Sequence, residues 1–302
     1  MTAAPAPGRS RNPAEWTRRP ERGSRFLIRF IVWFSRRAGR APVRILLRII
    51  AAYFFLTAGA ARAASREFLR RALGREPTLA ERFRVFFAFA STVHDRVFFL
   101  EGRFDLFDVA VHGAELFDER GAIVMGAHLG SFEAVRACGR GRRPIAMAMY
   151  EDNAHKVQSA LAAIAPELAK DVIALGRIDS MLRLQERLEA GVLVGVLADR
   201  TLGEEPVLDL PFLGAPAPFP TGPMRMAAAL RTRVIFMAGL YLGGNRYDIR
   251  FEPLADFTRL EGLSRAEREA RVNEAVARYA ACLERHSRLA PYNFFNFHRF
   301  WR

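Results

Sequence analysis

The chain has 302 residues, enough for one large α/β domain or two small ones, and a hydrophobic content of 51% can bury a sizeable core. Two cysteines, Cys138 and Cys282, exclude a disulfide framework and read as free buried thiols in a reducing compartment; no Cys/His spacing suggests a metal site, and nothing calls for a cofactor. The formal net charge of +14 lies wholly in residues 1–75, which hold 17 arginines against Glu15, Glu21 and Glu67, while residues 76–302 balance to zero. An arginine-rich genome explains why only Lys156 and Lys170 are lysines, but not this asymmetry, which points the front end at something anionic.

Residues 1–24, rich in Pro, Arg, Ala and Gly, read as a disordered basic tail without the compact apolar core of a signal peptide. Residues 25–75 form a second unit. Between Arg25 and Arg37 three arginines, Arg25, Arg29 and Arg36, fall near one helical face, with large apolar residues over the rest. The next segment, Val43 to Ala61, is interrupted by Arg44 and Arg48, and its longest uncharged run, Ile49 to Ala61, has 13 residues. A spanning helix needs roughly 20. Aromatic residues and arginines at helical spacing fit amphipathic helices lying in the headgroup layer of an anionic membrane, and a buried helical layer is the competing reading.

Residues 76–302 read as one large folded unit. A helix is expected over 78–101, opened by Thr78 and Glu81 as a capping box, with His94-Asp95 inside it as polar packing. Strands are expected at Ala122–Ala127, Pro144–Met149, Val172–Leu175, Val192–Ala198, Val234–Leu242 and Tyr247–Glu252. Helical stretches at Phe132–Cys138, Asn153–Ala169 and Asp179–Ala190 separate the first four. That alternation predicts an α/β fold with a mostly parallel central sheet flanked by helices, preceded by N-terminal membrane-interacting helices. Gly243-Gly244-Asn245 is a hairpin signal that makes the last two strands an antiparallel pair. Ser264 opens a final helix, Arg265–Arg288. The aromatic tail Tyr292–Trp301 fits either an apolar strip at a ligand or membrane face or a core-packing end segment.

The most informative residues are His128 and Glu133, which follow the apolar run Ile123–Ala127. On a continuous helix, residues five apart point roughly 140° away from each other. At a strand end followed by a tight turn they can meet. Gly130 permits the turn, and Ser131 suits the N-cap of the next helix. His128 then stands at the carboxyl end of a strand, where open α/β sheets place their ligands. Glu133 in the first helical turn would hold the imidazole and make it a general base. Backbone amides from Gly130 to Phe132 would serve an oxyanion. A lone histidine near an apolar strand is otherwise most simply a satisfied core residue.

The string His128-Leu129-Gly130-Ser131-Phe132-Glu133 resembles the glycerolipid acyltransferase superfamily, and most of all its lipid A lauroyl and myristoyl acyltransferase branch, which usually carries tryptophan at the position of Phe132. The resemblance continues through Arg177, the helix-like Ser180–Ala190, Gly191, the strand Val192–Ala198 and Asp199. It then takes in Pro211-Phe212-Leu213-Gly214 and Gly222-Pro223-Met224-Arg225-Met226-Ala227, and so runs from about residue 80 onward. It departs at Arg200, where the branch usually has glutamine or histidine, and in the arginine-broken N-terminal segment.

The resemblance implies transfer of a fatty acyl chain from acyl carrier protein or coenzyme A to a hydroxyl of a lipid or glycolipid, at the cytoplasmic face of a bacterial inner membrane. His128 would be the base and Glu133 its orienting partner. Gly130, Ser131, Arg177, Asp199 and Arg200 would bind substrate, the two arginines as candidates for a phosphate; for Arg200 an ion pair with Asp199 is the alternative. No G-x-S-x-G or S-x-x-K supplies a nucleophile, and none is needed when a hydroxyl attacks a thioester directly. Two other readings compete: an anionic-membrane or nucleic-acid binding protein with a degenerate site, and a thioesterase-type hydrolase. No nucleic-acid motif is present, and large apolar residues interleave the basic segment, so no nucleic-acid partner is expected.

Overall fold

The computed structural model describes residues 33–35, 37, 39–117, 120–139, 145–150, 171–176, 179–201 and 205–301. The tail 1–24, the helix expected at Asn153–Ala169, the Cys138 side chain and Arg177 lie outside the described residues.

Seven strands form one sheet in the order β1-β9-β8-β2-β5-β3-β4. They are β1 (Asp108–His112), β2 (Ala122–Gly126), β3 (Ile145–Tyr150), β4 (Val172–Leu175), β5 (Leu193–Leu197), β8 (Arg233–Gly243) and β9 (Arg246–Asp256). The middle strand β2 is buried along its whole length and pairs in parallel with both β5 and β8. That double burial is why its sequence is a continuous apolar run and not an alternating one. β3 and β4 extend the parallel set, whereas β9 returns antiparallel to β8 and carries β1 parallel to itself. The sheet is therefore mostly parallel, as the alternation predicts.

Two features were not legible in the sequence. The edge strand β1 is mostly solvent-exposed, so it lacks an apolar signature. A separate hairpin, β6 (Val207–Phe212) and β7 (Ala215–Pro220), holds four prolines, and proline density argues against a strand. It is tolerated because a two-stranded ribbon has a free edge on each side. Leu213 and Gly214 turn it with φ of 50° and 81°, the left-handed pair that a two-residue hairpin favours.

Helices cover the sheet: α3 (Leu79–Leu100), α4 (Phe132–Gly139), α5 (Ser180–Glu189), α6 (Gly222–Ala229) and α7 (Arg265–Leu289). The capping boxes Thr78/Glu81 and Ser264/Glu267 open α3 and α7. Before them, α1 (Arg40–Thr57) and α2 (Gly59–Leu73) meet at 96°, and among the described residues no single helix is long and apolar enough to cross a membrane. α1 buries Val43, Leu47, Ala51 and Phe55 against the body. Its opposite stripe, Ile45, Ile49, Tyr53 and Leu56, is 61–69% exposed.

Arg40 and Arg44 of α1 turn inward, whereas Arg48 stays exposed. Arg40 grips the buried Asp95 through Nε at 2.6 Å and Nη2 at 2.7 Å, and Arg44 donates to the Tyr241 hydroxyl at 2.7 Å. Tyr247 donates to Asp95 at 2.8 Å, and His94 meets the Ser35 hydroxyl at 2.9 Å. His94 and Asp95 are thus polar packing that bolts α1 to the sheet. Burial works against the Asp95 carboxylate, but hydrogen bonds from His94 and Arg40 hold it below the usual carboxylate range.

The aromatic tail is core. Phe294, Phe295, Phe300 and Trp301 are buried, Phe294 stacks on Phe68 at 4.5 Å, and the Trp301 indole donates to the Phe212 carbonyl at 3.0 Å. Each such ring contributes about 1.5–3 kcal/mol by burial. Cys282 is a free buried thiol pushed up by that burial.

Candidate active site

The site follows from one register. Gly126 of β2 lies opposite Leu197 of β5, and the Ala198 amide still donates to the Gly126 carbonyl at 3.0 Å. His128 and Asp199 each stand two residues beyond that last pair. Two parallel strands in register deliver residues of equal offset to the same sheet edge, so the side chains meet. The imidazole Nδ1 sits 2.9 and 3.1 Å from the two Asp199 oxygens.

Charge fixes the direction of that bond. Burial raises the Asp199 pKa, but the charge and hydrogen bond of His128, with the charge of Arg200, outweigh it and bring the carboxyl down to about 2. An ionised carboxylate only accepts, so Nδ1 donates to it, and whenever the ring is neutral its lone pair lies on Nε2. The His128 side chain is 33% exposed while Asp199 is fully enclosed, so the ring reaches the edge of the site and its partner does not. Asp199, expected to bind substrate, lies against the imidazole.

Glu133 does not hold it. Its Oε1 lies 3.1 Å from Nε of Arg96 on α3, and its Oε2 is buried without a hydrogen-bond partner. The reason is geometric. Glu133 is the second residue of α4, on the side toward α3, whereas the Nδ1 edge of the ring faces β5. The five-residue spacing looked like a pair, but the strand register supplies a nearer carboxylate.

Gly130 and Ser131 build the turn. Gly130 has φ 77°, and a Cβ there would fall 1.9 Å from the Gly239 carbonyl. Its amide donates to the Asn293 carbonyl at 2.9 Å, and that of Ser131 donates to the Gly239 carbonyl at 2.8 Å. Two of the three amides expected at an oxyanion are therefore engaged by backbone. The Ser131 hydroxyl accepts from the Ala134 amide at 3.2 Å, the N-cap that the sequence indicated. Phe132, at the start of α4, lies over Gly195 of β5, where a Cβ would come within 2.6 Å of the ring. Arg200 is turned inward as well: Nη2 donates to the Phe295 carbonyl at 3.2 Å, and burial lowers its pKa.

A mostly parallel sheet with a histidine–carboxylate pair at the carboxyl ends of two central strands can deprotonate a hydroxyl. The model of the family described as bacterial lipid A biosynthesis acyltransferase matches residues 17–302. The chain belongs to that family. It is an acyltransferase of lipid biosynthesis, and the match extends beyond the block that the sequence resemblance covered. Among curated proteins, none matches the chain. Among solved structures, this acyltransferase is similar to the 1-acyl-sn-glycerophosphate acyltransferase PlsC of Thermotoga maritima, at 18% identity and a TM-score of 0.40, over 81% of this chain and 98% of that one.

Sequence reading missed the pairing of His128 with Asp199, the Arg96 partner of Glu133, and the hold of residues 293–295 on the turn. The first had a signal, since both residues end apolar runs. The other two join elements far apart in the chain and leave none.

Proposed function

We propose that the protein is a membrane-associated acyltransferase in which His128, oriented by Asp199, deprotonates a lipid hydroxyl that attacks the acyl thioester of acyl carrier protein or coenzyme A. The observation that carries this reading is the 2.9 Å contact between Nδ1 and Asp199, which leaves Nε2 as a base at the sheet edge. Nε2 takes the hydroxyl proton as the oxygen–carbonyl bond forms. The carbon–sulfur bond then breaks, and the imidazolium returns the proton to the leaving thiolate. Asp199 stabilises the imidazolium between the two steps. The N-terminal end of α4 favours the transient oxyanion. Glu133 neutralises Arg96, which is half-exposed on α3. Arg177 remains a candidate for a phosphate of donor or acceptor, whereas the inward-facing Arg200 is better suited to supporting Asp199.

The bilayer is the surface that fits α1. Ile45, Ile49, Tyr53 and Leu56 make an outward apolar stripe on a helix whose inner face is already packed, and the acceptor is a lipid. A helix lying in the interface, turned through 96° into α2, brings the site to its substrate from the headgroup layer. The test is mass spectrometry of total lipids from cells with the gene, without it, and with His128→Ala. An acyl species present only with the unaltered gene is expected. Unchanged lipids in all three would reject the reaction, and loss of acyl thioester without a matching acylated lipid would indicate a hydrolase instead.

A further inference from the structure

We propose that the segment Asn293–Phe295 is a positioning element of the His128–Asp199 pair, with Asn293 as its anchor; this rests on His128 being the base. The β2–β5 ladder stops at the Ala198–Gly126 bond, before either side chain of the pair. Past that point one short peptide segment, centred on Phe295, contacts both the His128 backbone and the Arg200 side chain, while the chain after His128 rejoins β8 at the Gly130–Gly239 bridge. The Phe295 amide donates to the His128 carbonyl at 2.7 Å, and the Phe295 carbonyl accepts from the Arg200 guanidinium at 3.2 Å, next to Asp199.

Asn293 holds that peptide in place. β8 runs on to Gly243, but its register with β2 ends at Phe236, and beyond it the chain after β2 meets β8 once more, at the Gly130–Gly239 bridge, short of Tyr241. The Asn293 side chain takes the place of the missing strand. Its Oδ1 accepts from the Tyr241 amide at 2.7 Å and its Nδ2 donates to the Tyr241 carbonyl at 3.0 Å. Its own carbonyl accepts from the Gly130 amide at 2.9 Å. Asn293 is 3% exposed, so no water replaces these bonds cheaply. One buried amide thus links β8, the turn after β2 and, through Phe295, both members of the pair.

The experiment uses the full chain in detergent, dodecanoyl-coenzyme A as donor and a lipid extract of the source cells as acceptor. Two readouts are taken on Asn293→Ala and on the equal-sized Asn293→Asp, which keeps the acceptor and loses the donor: kcat and donor KM, and the downfield proton resonance of the imidazole–carboxylate bond, assigned by its absence in His128→Ala. A misplacement of about 1 Å costs on the order of 10²-fold. Asn293→Ala is therefore expected to lower kcat about 10–100-fold with donor KM within about 2-fold, and to shift or abolish the resonance. Asn293→Asp should retain more of both. A folded variant with normal kcat overturns the inference, and so does a fall in kcat with the resonance unmoved. If Asn293→Ala does not fold, Asn293→Asp decides by the same criteria. Activity in folded His128→Ala would instead refute the base assignment, whatever the Asn293 variants do.

Discussion

At the scale of single residues the two carboxylates near His128 have different work. Asp199 accepts from the ring and Glu133 faces Arg96, so their neutral isosteres should separate. Asp199→Asn presents an amide to Nδ1 and frees the ring to adopt the tautomer with its proton on Nε2. A fall in kcat of about 10²–10⁴ is expected, near that of His128→Ala, and the double variant should be little worse than either single one. Glu133→Gln should cost clearly less, because it leaves the ring–carboxylate bond in place. Steady-state rates of the four proteins, with circular dichroism to confirm folding, decide this; a Glu133→Gln defect exceeding that of Asp199→Asn would reverse the assignment. Gly130 is a backbone requirement of another kind. With φ 77° and the Gly239 carbonyl 1.9 Å from any Cβ, Gly130→Ala is expected to displace the turn and abolish activity, with a lowered melting temperature.

At the scale of elements, α1 has two faces with separable roles. The inner face is locked by the Arg40–Asp95 pair, whose side chains are 12% and 0% exposed. Removing one partner of such a pair leaves a buried charge, so Arg40→Ala is expected to destabilise the fold by about 3–5 kcal/mol, read as a lower midpoint in urea. The outer face is expected to matter only at the bilayer. Burial of an Ile side chain is worth about 1.5–3 kcal/mol, so Ile45→Asp or Ile49→Asp should weaken liposome flotation about 10-fold or more with little change in melting. Since Arg40 and Arg44 point inward, this attachment should survive high salt. Variants that float like the unaltered protein, or full release by salt, would refute the stripe as the anchor.

For the whole molecule, the two buried aspartates predict an acid limit. Asp199 titrates at about 2 in the fold, and Asp95 is also held below the ordinary range. Unfolded aspartate titrates near 3.9. A carboxylate depressed in the fold contributes stability that is fully present above its unfolded pKa and is lost as pH falls through its folded pKa. For Asp199 the difference amounts to about 2–3 kcal/mol at neutral pH. The two aspartates therefore add no slope between pH 7 and about pH 5, where only the buried His286, lowered by burial, erodes stability, and melting temperature should fall steeply between about 4 and 2. Asp199→Asn should flatten that fall in part, and an unchanged slope would show that Asp199 is not depressed.

Local patterns determined much of this protein. The buried run of β2, the caps at Thr78 and Ser264, the Ser131 turn and the Gly243-Gly244 hairpin were all legible, because each is set by neighbours within a few residues. So was His128 at a strand end. What the sequence left open was decided by pairing between distant segments. Asp199 reaches the imidazole only because β2 and β5 are adjacent and in register, and no spacing along the chain records which strands become neighbours. The same holds for Arg96 on Glu133 and for Asn293 on Tyr241, contacts made by α3 and by the segment after α7. The front end, read from its arginines as a basic surface, proved two-sided in α1 because helix packing chose which face met the sheet. Sequence periodicity says that a helix has faces; only the tertiary structure says which one is covered.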